Sequence, residues 1–327
     1  MAPPPGWTDV SAGRGIATVT ANAALDVTYH VERVGRGREH RVLRVDERPG
    51  GKGVNTAFVL RCLGEPVTAT GLLGGDAGGP IRAGLVDAGI EEAFVPIGGS
   101  TRRTVVILET HDSTATLFNE PGPQVTAEEW AALRAEVQRL AADVSVLTFS
   151  GSLPRGIGTD GYADLVSAAF AAGSARVVVD TSGPAMLAAA AAGPDLMKPN
   201  SAELTAVTGT HDAAAGATEL RQAGAKAVVV SAGSDGLVLT TGEFILWARL
   251  AEPLVGNATG AGDAAVAAFA RALARPGPDP LSDTEAARTM LAEAVAVSAA
   301  SVLSPVAGAV DRDDVERLQA LVQVRSP

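Results

Sequence analysis

One stretch near the C-terminus combines the residue types that phosphoryl transfer needs. Residues 256–263 form a turn of small residues that ends in Asp263, and the apolar, alanine-rich residues 264–273 follow directly. The pattern predicts a helix over 264–274 whose unpaired N–H groups and positive dipole end form a pocket for an anion. A carboxylate at the mouth of that pocket could take a proton from a hydroxyl that attacks a bound phosphate. In the alternative interpretation, Asp263 only caps the helix.

A second glycine-rich turn, residues 50–53, also ends a predicted strand and begins a predicted helix, over residues 54–63. Two helix N-termini that can bind anions suit a protein that handles a phosphorylated substrate and a nucleotide together. We expect the two turns to form the two ends of one site, facing each other across a sheet. The chain contains neither the GxGxxG fingerprint after its first strand nor a GxxxxGK[ST] loop, so neither of these nucleotide-binding motifs is supported.

Composition limits the classes of partner. The 327 residues carry a net charge of −11, which argues against nucleic acid and requires local cations around any phosphorylated ligand. The single cysteine, Cys62, and four scattered histidines exclude a disulfide framework and a cysteine-based zinc site. Residues 1–15 are expected to be a disordered leader without a signal peptide, and no apolar run has the length of a membrane span. We therefore expect a cytoplasmic protein with no membrane partner.

The order of apolar segments predicts the fold class. From residue 126 onward, helices alternate with short apolar strands, which is typical of a parallel sheet covered by helices on both faces. The predicted strands include 16–20, 67–73, 144–150, 176–180, 195–198, 227–230 and 237–240, and the predicted helices include 127–141, 160–172, 184–192, 283–302 and 312–323. Ligands of such sheets lie beyond the carboxyl ends of the strands. Thinner strands at 28–34, 40–45, 104–109 and 114–118 predict a small appended sheet.

Five motifs, in order along the chain, resemble the signatures of the ribokinase-like, phosphofructokinase-B carbohydrate kinases. They are GGKGVN at 50–55 with GLLGGDAG at 71–78, SGSLP at 150–154, DTSG at 180–183, KPNSAEL at 198–204 and NATGAGD at 257–263. The resemblance implies a ribokinase-like three-layer α/β/α sandwich with a mostly parallel central sheet, formed by residues 16–327. It also implies a small β-sheet lid, formed by about 27–48 and 101–118, which would cover the sugar.

The resemblance assigns a role to each matching position. Asp263 becomes the general base, and the backbone N–H groups that would stabilise the transferred phosphoryl belong to Gly260, Ala261 and Gly262. The acceptor contacts fall on Asp26, Gly50, Gly51, Lys52, Asn55 and Arg102. ATP and Mg²⁺ are the implied cofactors, and the nucleotide contacts fall on Lys198, Asn200, Ser231, Gly233, Gly236 and Gly262. Asn200 and Glu203 would act on Mg²⁺ through water, although Glu203 could instead be an exposed residue of a first helical turn.

Two basic residues separate the subfamilies. Lys52 opens a helix, where its charge opposes the dipole, and this placement favours a function over a structural role. With Arg102 it could neutralise a sugar phosphate, whereas Arg103 could be a solvated strand residue. Together with residues 118–123, these features resemble the 1-phosphofructokinase and tagatose-6-phosphate kinase branch.

The expected reaction is ATP-dependent phosphorylation of fructose 1-phosphate. Tagatose-6-phosphate kinase and 6-phosphofructokinase remain as alternatives, followed by a kinase of a neutral sugar or nucleoside and by a low-turnover ligand-binding protein of the same fold. The resemblance to this family, together with the exposed apolar face of the lid, implies a homodimer in which the two lids pair.

Several positions depart from the pattern of this branch. They are Ala23, Thr104, Ala258, Ala264 and Val306. None removes the base or the anion pocket, so these departures bear on the identity of the acceptor and on the rate.

Overall fold

Residues 15–112 and 114–326 are described by this computed structural model of the chain. The predicted leader, residues 1–15, lies outside the described residues except for Gly15. The strands, in chain order, are β1 (Ile16–Thr20), β2 (Ala24–Val31), β3 (Arg44–Gly50), β4 (Val67–Leu73), β5 (Glu91–Glu92), β6 (Val95–Pro96), β7 (Arg102–Glu109), β8 (Ala115–Asn119), β9 (Val146–Ser150), β10 (Arg176–Asp180), β11 (Leu196–Met197), β12 (Ala227–Ser231), β13 (Leu237–Thr240), β14 (Ile245–Leu250) and β15 (Val322–Arg325). The helices are α1 (Lys52–Cys62), α2 (Gly75–Asp87), α3 (Ala127–Asp143), α4 (Gly161–Ala172), α5 (Pro184–Ala191), α6 (Ser201–Thr208), α7 (Ala213–Gln222), α8 (Ala261–Ala274), α9 (Thr284–Leu303) and α10 (Arg312–Gln319).

The central sheet is mostly parallel, as the alternation of helices and apolar strands predicts. Its strands follow the order β15-β14-β13-β12-β11-β10-β9-β1-β4-β5, with β6 also paired to β4. In this spatial order, every neighbouring pair between β12 at one end and β5 at the other is parallel. Strands β13, β14 and β15 are added antiparallel at the edge beyond β12. Strands β1 and β9 are buried at every residue, which is the environment of a parallel strand covered on both faces.

Helices cover both faces of the sheet and give the expected three layers. One hydrophobic cluster lies between the sheet and α1, α2, α8, α9 and α10. The other lies between the sheet and helices α3 to α7. Successive residues of β1 show the division, because Ile16 packs into the first cluster and Ala17 into the second.

A separate four-stranded sheet forms the predicted lid, in the order β3-β2-β7-β8. Strand β2 pairs antiparallel with β3 and parallel with β7, and β7 pairs antiparallel with β8. The predicted small sheet is therefore present. Its strands start at Ala24 and end at Asn119, slightly beyond the predicted ranges, because Ala24 still pairs with Gly50 and with Arg102.

Several segments differ from the predicted elements. Helix α1 begins at Lys52, two residues earlier than predicted. The predicted helix over 312–323 is wrong at its end: α10 stops at Gln319, and the next residues form β15, which pairs with β14. Strand β14 and helices α6 and α7 were not predicted.

Helix α9 is long and apolar enough to cross a membrane by length and composition. Its environment here is the protein core, where more than half of its residues are buried. The buried Glu293 of α9 forms ion pairs with Arg271 of α8 and with Arg275, which follows α8. Since a buried, paired carboxylate fixes the helix against α8, α9 acts as a core helix of this fold.

Candidate active site

Asp263 lies in the first turn of α8, at the end of the predicted small-residue turn. The N-cap of this helix is Gly260, which has the left-handed φ of 85° and gives the helix no side-chain cap. The Asp263 carboxylate is 6% exposed and accepts a hydrogen bond from Asn55 Nδ2 at 2.8 Å. Because Asp263 is not the N-cap residue, the interpretation that it only caps the helix is wrong.

Burial changes the acidity of Asp263. Desolvation, followed by the nearby charge of Asp180, raises its pKa from 3.8 to about 7. The hydrogen bond from Asn55 and the charges of Lys52 and Lys198 act in the opposite direction. A carboxylate that changes protonation state near neutral pH is suited to take up a proton as a general base.

The two glycine-rich turns lie side by side. Helices α1 and α8 pack into the same hydrophobic cluster on one face of the sheet, and Asn55 of α1 contacts Asp263 of α8 directly. Thr56 Oγ1 also donates to the Asp263 carbonyl oxygen at 3.3 Å. The expectation that the turns face each other across the sheet is therefore wrong, because both helices belong to the same layer.

The turn before α8 leaves backbone donors at the helix end. The Ala261 N–H donates to the Ala258 carbonyl oxygen at 3.2 Å, so this amide is partly used within the turn. Gly260 fits closely against the next segment, since a Cβ there would lie 2.9 Å from Ala307 Cβ. Ala264, one of the departures from the branch pattern, is fully buried in the core and does not line the pocket.

Lys52 joins the two sides of the site. Its Nζ donates to Asp180 Oδ1 at 3.1 Å and lies 3.5 Å from Glu203 Oε1. Burial disfavours the charge on Lys52, but the neighbouring carboxylates, Asp180 foremost, outweigh this effect and raise its pKa. The ammonium therefore stays protonated and faces the candidate nucleotide and metal residues, in addition to lining the acceptor cavity.

Asp180 was noted in the sequence only as part of a motif, and its place in the site was missed. Its carboxylate is 1% exposed, and Oδ2 lies 3.6 Å from Lys198 Nζ. The available signal was its position at the end of β10, at the carboxyl edge of the parallel sheet. Asp180 thus forms ion pairs with both Lys52 and Lys198, between the predicted nucleotide residues and the predicted acceptor residues.

The candidate nucleotide residues gather beside these lysines. Lys198 lies against the start of α8, since a Cβ on Gly262 would be 3.2 Å from Lys198 Nζ. Asn200 is bridged to Ser231 at the end of β12. Gly233 and Gly236 border the short 3₁₀ turn that follows β12. These residues therefore form one edge of the site along the carboxyl ends of β11 and β12.

Asn200 and Glu203 form a reciprocal capping box at the start of α6. The Glu203 N–H donates to Asn200 Oδ1 at 2.8 Å, and the Asn200 N–H donates to Glu203 Oε2 at 2.9 Å. The Glu203 side chain is only 19% exposed, so it is not simply an exposed residue of a first helical turn. Its other oxygen, Oε1, remains turned towards Lys52.

The donor set fits a hydrated Mg²⁺ ion better than a protein-coordinated ion. Among the described residues, no group of three or more His, Cys, Asp or Glu side chains could hold a metal. Mg²⁺ in proteins keeps several waters and takes one or two carboxylates together with substrate phosphates. One oxygen of Glu203 fits that arrangement through water.

The predicted acceptor residues lie where the small sheet meets the central sheet. A cavity of about 420 Å³ is lined there by residues that include Lys52, Arg102, Asn119 and Glu203. Arg102 Nε donates to the Asn22 carbonyl oxygen at 3.3 Å. Arg103, the next residue, is exposed and points to the opposite face of the strand.

Asp26 projects from the lid beside the glycine-rich turn. A Cβ on Gly50 would lie 2.3 Å from the Asp26 carboxylate, so only glycine allows this approach. Burial raises the pKa of Asp26, while a hydrogen bond from Thr104 and the charges of Arg102 and Arg48 oppose the rise. Asp26 is thus a partly buried acceptor of hydrogen bonds with cations on both neighbouring strands.

Several buried polar atoms around the site have no hydrogen-bond partner among the described residues. They are Thr20 Oγ1, Asn22 Oδ1, Asn55 Oδ1, Ser150 Oγ and Asp180 Oδ2. Buried polar groups are normally satisfied, and these five belong to the predicted site or to the adjoining strand ends. Five of the eight such atoms among the described residues therefore lie at the predicted site, which suits a polar ligand.

A buried carboxylate at a helix N-terminus, with lysines beside it and a polar cavity under a lid, defines a phosphotransferase of the α/β class. Over residues 17–313 the chain matches the pfkB family carbohydrate kinases. The chain belongs to this family, and the sequence-based assignment is confirmed.

Relatives and solved structures agree with this assignment. The 1-phosphofructokinase of Rhodobacter capsulatus is 38% identical over 264 residues, covering 79% of this chain and 83% of the relative. The 1-phosphofructokinase of Bacillus subtilis is 35% identical over 259 residues, covering 78% and 84%. The tetrameric inhibited form of phosphofructokinase-2 from Escherichia coli is 28% identical with a TM-score of 0.84, covering 94% of this chain and 98% of that chain. The ribokinase-like α/β fold is confirmed as well.

Proposed function

We propose that the chain is a 1-phosphofructokinase, which transfers the γ-phosphoryl group of ATP to the 6-hydroxyl of fructose 1-phosphate. The observation that carries the proposal is Asp263, a buried carboxylate with a pKa of about 7 at the N-terminus of α8. The similarity to two 1-phosphofructokinases over more than three quarters of the chain supports the choice of acceptor.

In the proposed reaction, Asp263 takes the proton of the attacking hydroxyl. The hydrogen bond from Asn55 fixes the carboxylate in one orientation, so the other oxygen can face the acceptor. Backbone N–H groups at Gly260 and Gly262 stabilise the charge on the transferred group. Ala261 contributes less, because its N–H already donates within the turn.

ATP occupies the edge formed by Lys198, Asn200, Ser231 and the turn from Gly233 to Gly236. Lys198 and Lys52 lie where they can neutralise the phosphates, since both ammonium groups are held by Asp180. Mg²⁺ supplies positive charge to the phosphates when bound. Glu203 would hold it through water, with Asn200 keeping the Glu203 side chain in place.

The acceptor binds between the lid and α1. Asp26 and Asn55 contact the sugar hydroxyls. Gly50 and Gly51 carry no side chains and therefore leave room for the sugar ring. Arg102 binds the acceptor's own phosphate, because a protein with a net charge of −11 must supply local positive charge there. The lid excludes water that would otherwise accept the phosphoryl group.

The proposed assembly is a cytoplasmic homodimer joined through its lids. The lid region exposes the large apolar side chains of Val42, Leu43, Val45, Leu117 and Phe118. Several exposed apolar side chains on one small sheet favour association with a second copy. Light scattering should show that Phe118→Ser weakens the dimer. Val86→Ser, at an exposed apolar residue outside the lid, should leave the dimer unchanged.

A coupled assay of ADP release tests the acceptor. The purified chain with ATP and Mg²⁺ is offered fructose 1-phosphate, fructose 6-phosphate, tagatose 6-phosphate and fructose. The highest kcat/KM is expected with fructose 1-phosphate. A preference for either 6-phosphate sugar would replace the proposal with the corresponding kinase. Tight binding of ATP and sugar phosphate without ADP release would indicate a ligand-binding protein instead.

A further inference from the structure

A row of four polar side chains crosses the lid on the face that carries Asp26. In the strand register, Arg48 lies opposite Asp26, Asp26 opposite Thr104, and Thr104 opposite Asn119. Directly opposed residues of paired strands place their side chains on the same face. Asn119 lines the acceptor cavity. This face of the lid is therefore the one turned towards the acceptor.

Arg48 is the residue of this row to which the sequence gives no role. Its guanidinium lies over the ring of Phe58 on α1, 5.6 Å from the ring centroid, which is within the range of a cation–π interaction. Burial lowers the pKa of Arg48, and the charge of Asp26 opposes that change. Arg48 is thus a half-buried cation that the lid and α1 hold beside Asp26.

The charges around Asp26 change when a phosphorylated acceptor binds. Without ligand, the Asp26 carboxylate has Arg48 on one neighbouring strand and Arg102 on the other, and both interact with it favourably. In the proposed complex Arg102 also binds the acceptor's phosphate, so its charge is shared between two anions. Asp26 then lies near a phosphate dianion, and Arg48 is the cation that remains to balance it.

We propose that Arg48 is a positioning residue that holds the Asp26 side chain available to the sugar hydroxyls when the acceptor carries a phosphate. The inference rests on the proposed function, because it requires a phosphorylated acceptor. Arg48 acts through Asp26 and does not touch the reacting atoms. Its contribution therefore falls on acceptor binding and not on the transfer step.

The test uses the full chain and two neutral replacements, Arg48→Gln and Arg48→Met. Each should raise the KM for fructose 1-phosphate about tenfold, which corresponds to about 1.4 kcal/mol of binding, and change kcat by less than about twofold. The methionine side chain preserves the packing on Phe58, so agreement between the two variants separates charge from packing. Arg44→Gln is the matched control, since Arg44 is on the same strand but is 65% exposed and bonded to Asp46.

The same substitution in an Asp26→Asn background distinguishes positioning from direct contact. Once Asp26 carries no charge, Arg48 has nothing to balance, so adding Arg48→Gln should not change the KM further. An equal loss in both backgrounds would mean that Arg48 binds the acceptor itself or only supports the fold, and either result overturns the inference.

Wild-type enzyme measured in the same series separates this inference from the proposed function. If wild type uses fructose 1-phosphate and the neutral variants keep its KM, the inference alone fails. If wild type prefers another sugar phosphate, the proposed acceptor fails, and the same variants test Arg48 with that sugar. If no sugar phosphate is phosphorylated, both fail.

Discussion

Replacing Asp263 with Asn separates the catalytic value of this buried carboxylate from its cost to stability. The variant keeps the shape of the side chain and an oxygen that can accept the hydrogen bond from Asn55, but it cannot take up a proton. Loss of a general base lowers kcat by about 10²–10⁴-fold. The KM for fructose 1-phosphate should change little, because Asp26, Asn55 and Arg102 still bind the acceptor.

The same substitution should stabilise the protein above neutral pH. The pKa of Asp263 rises from 3.8 to about 7 on folding, so between these values the folded state binds the proton that the unfolded chain releases. The free energy of unfolding contributed by this group is therefore fully present below pH 3.8 and is lost as the pH rises through about 7. A shift of about three units corresponds to roughly 4 kcal/mol.

Urea unfolding at two pH values measures this cost. Asp263→Asn should be more stable than wild type by roughly 4 kcal/mol at pH 8, and the difference should shrink to about 2 kcal/mol at about pH 5. Asp76→Asn is a matched control, because Asp76 also lies in the first turn of a helix but is exposed. A variant no more stable than wild type at pH 8 would refute the burial argument, and a kcat within tenfold of wild type would refute the role as base.

Three further results are expected. The wild-type kcat/KM should fall about tenfold per unit below pH 7 and stay flat above it, because Asp263 must be ionised; a flat pH–rate profile would contradict this. Arg102→Gln should raise the KM for fructose 1-phosphate about 10–100-fold, the value of a charge-assisted hydrogen bond, whereas the exposed Arg103→Gln should not change it in the same assay. Glu293→Gln should lower the free energy of urea unfolding by about 3–5 kcal/mol because it breaks a buried ion-pair network. Glu285→Gln, at an exposed position on the same helix, should change it by less than about 0.5 kcal/mol.

Local patterns predicted the elements whose formation depends on nearby residues. Strands β1, β4 and β10 start and end at the predicted residues, since each is a short apolar or β-branched run bounded by turn residues. Strand β15 could not be predicted this way. Val322 continues the apolar spacing of Val315 and Leu318 in α10, and only pairing with β14 makes the segment a strand.

The site residues divide in the same manner. Asp263, Gly260 and Asn55 were identified because their motifs carry the turn and helix start that position them. The direct contact of Lys52 with Asp180 was missed, because the two residues are 128 positions apart and no local pattern relates them. Lys52 was predicted to contact the acceptor because a sugar phosphate needs a cation beside it. The fold also brings its ammonium to the carboxyl end of β10.

Burial raises the pKa of Asp263 most, and the charges that meet around Asp180 adjust it further. Asp180 raises the pKa of Asp263 directly through its own negative charge. It also holds Lys52 and Lys198, whose positive charges lower that pKa. Loss of the lysine charges would raise the pKa of Asp263 further, and loss of the Asp180 charge would lower it and make Asp263 a weaker base. The value near 7 therefore depends on residues from α1, β10 and the end of β11, which only the folded sheet brings together.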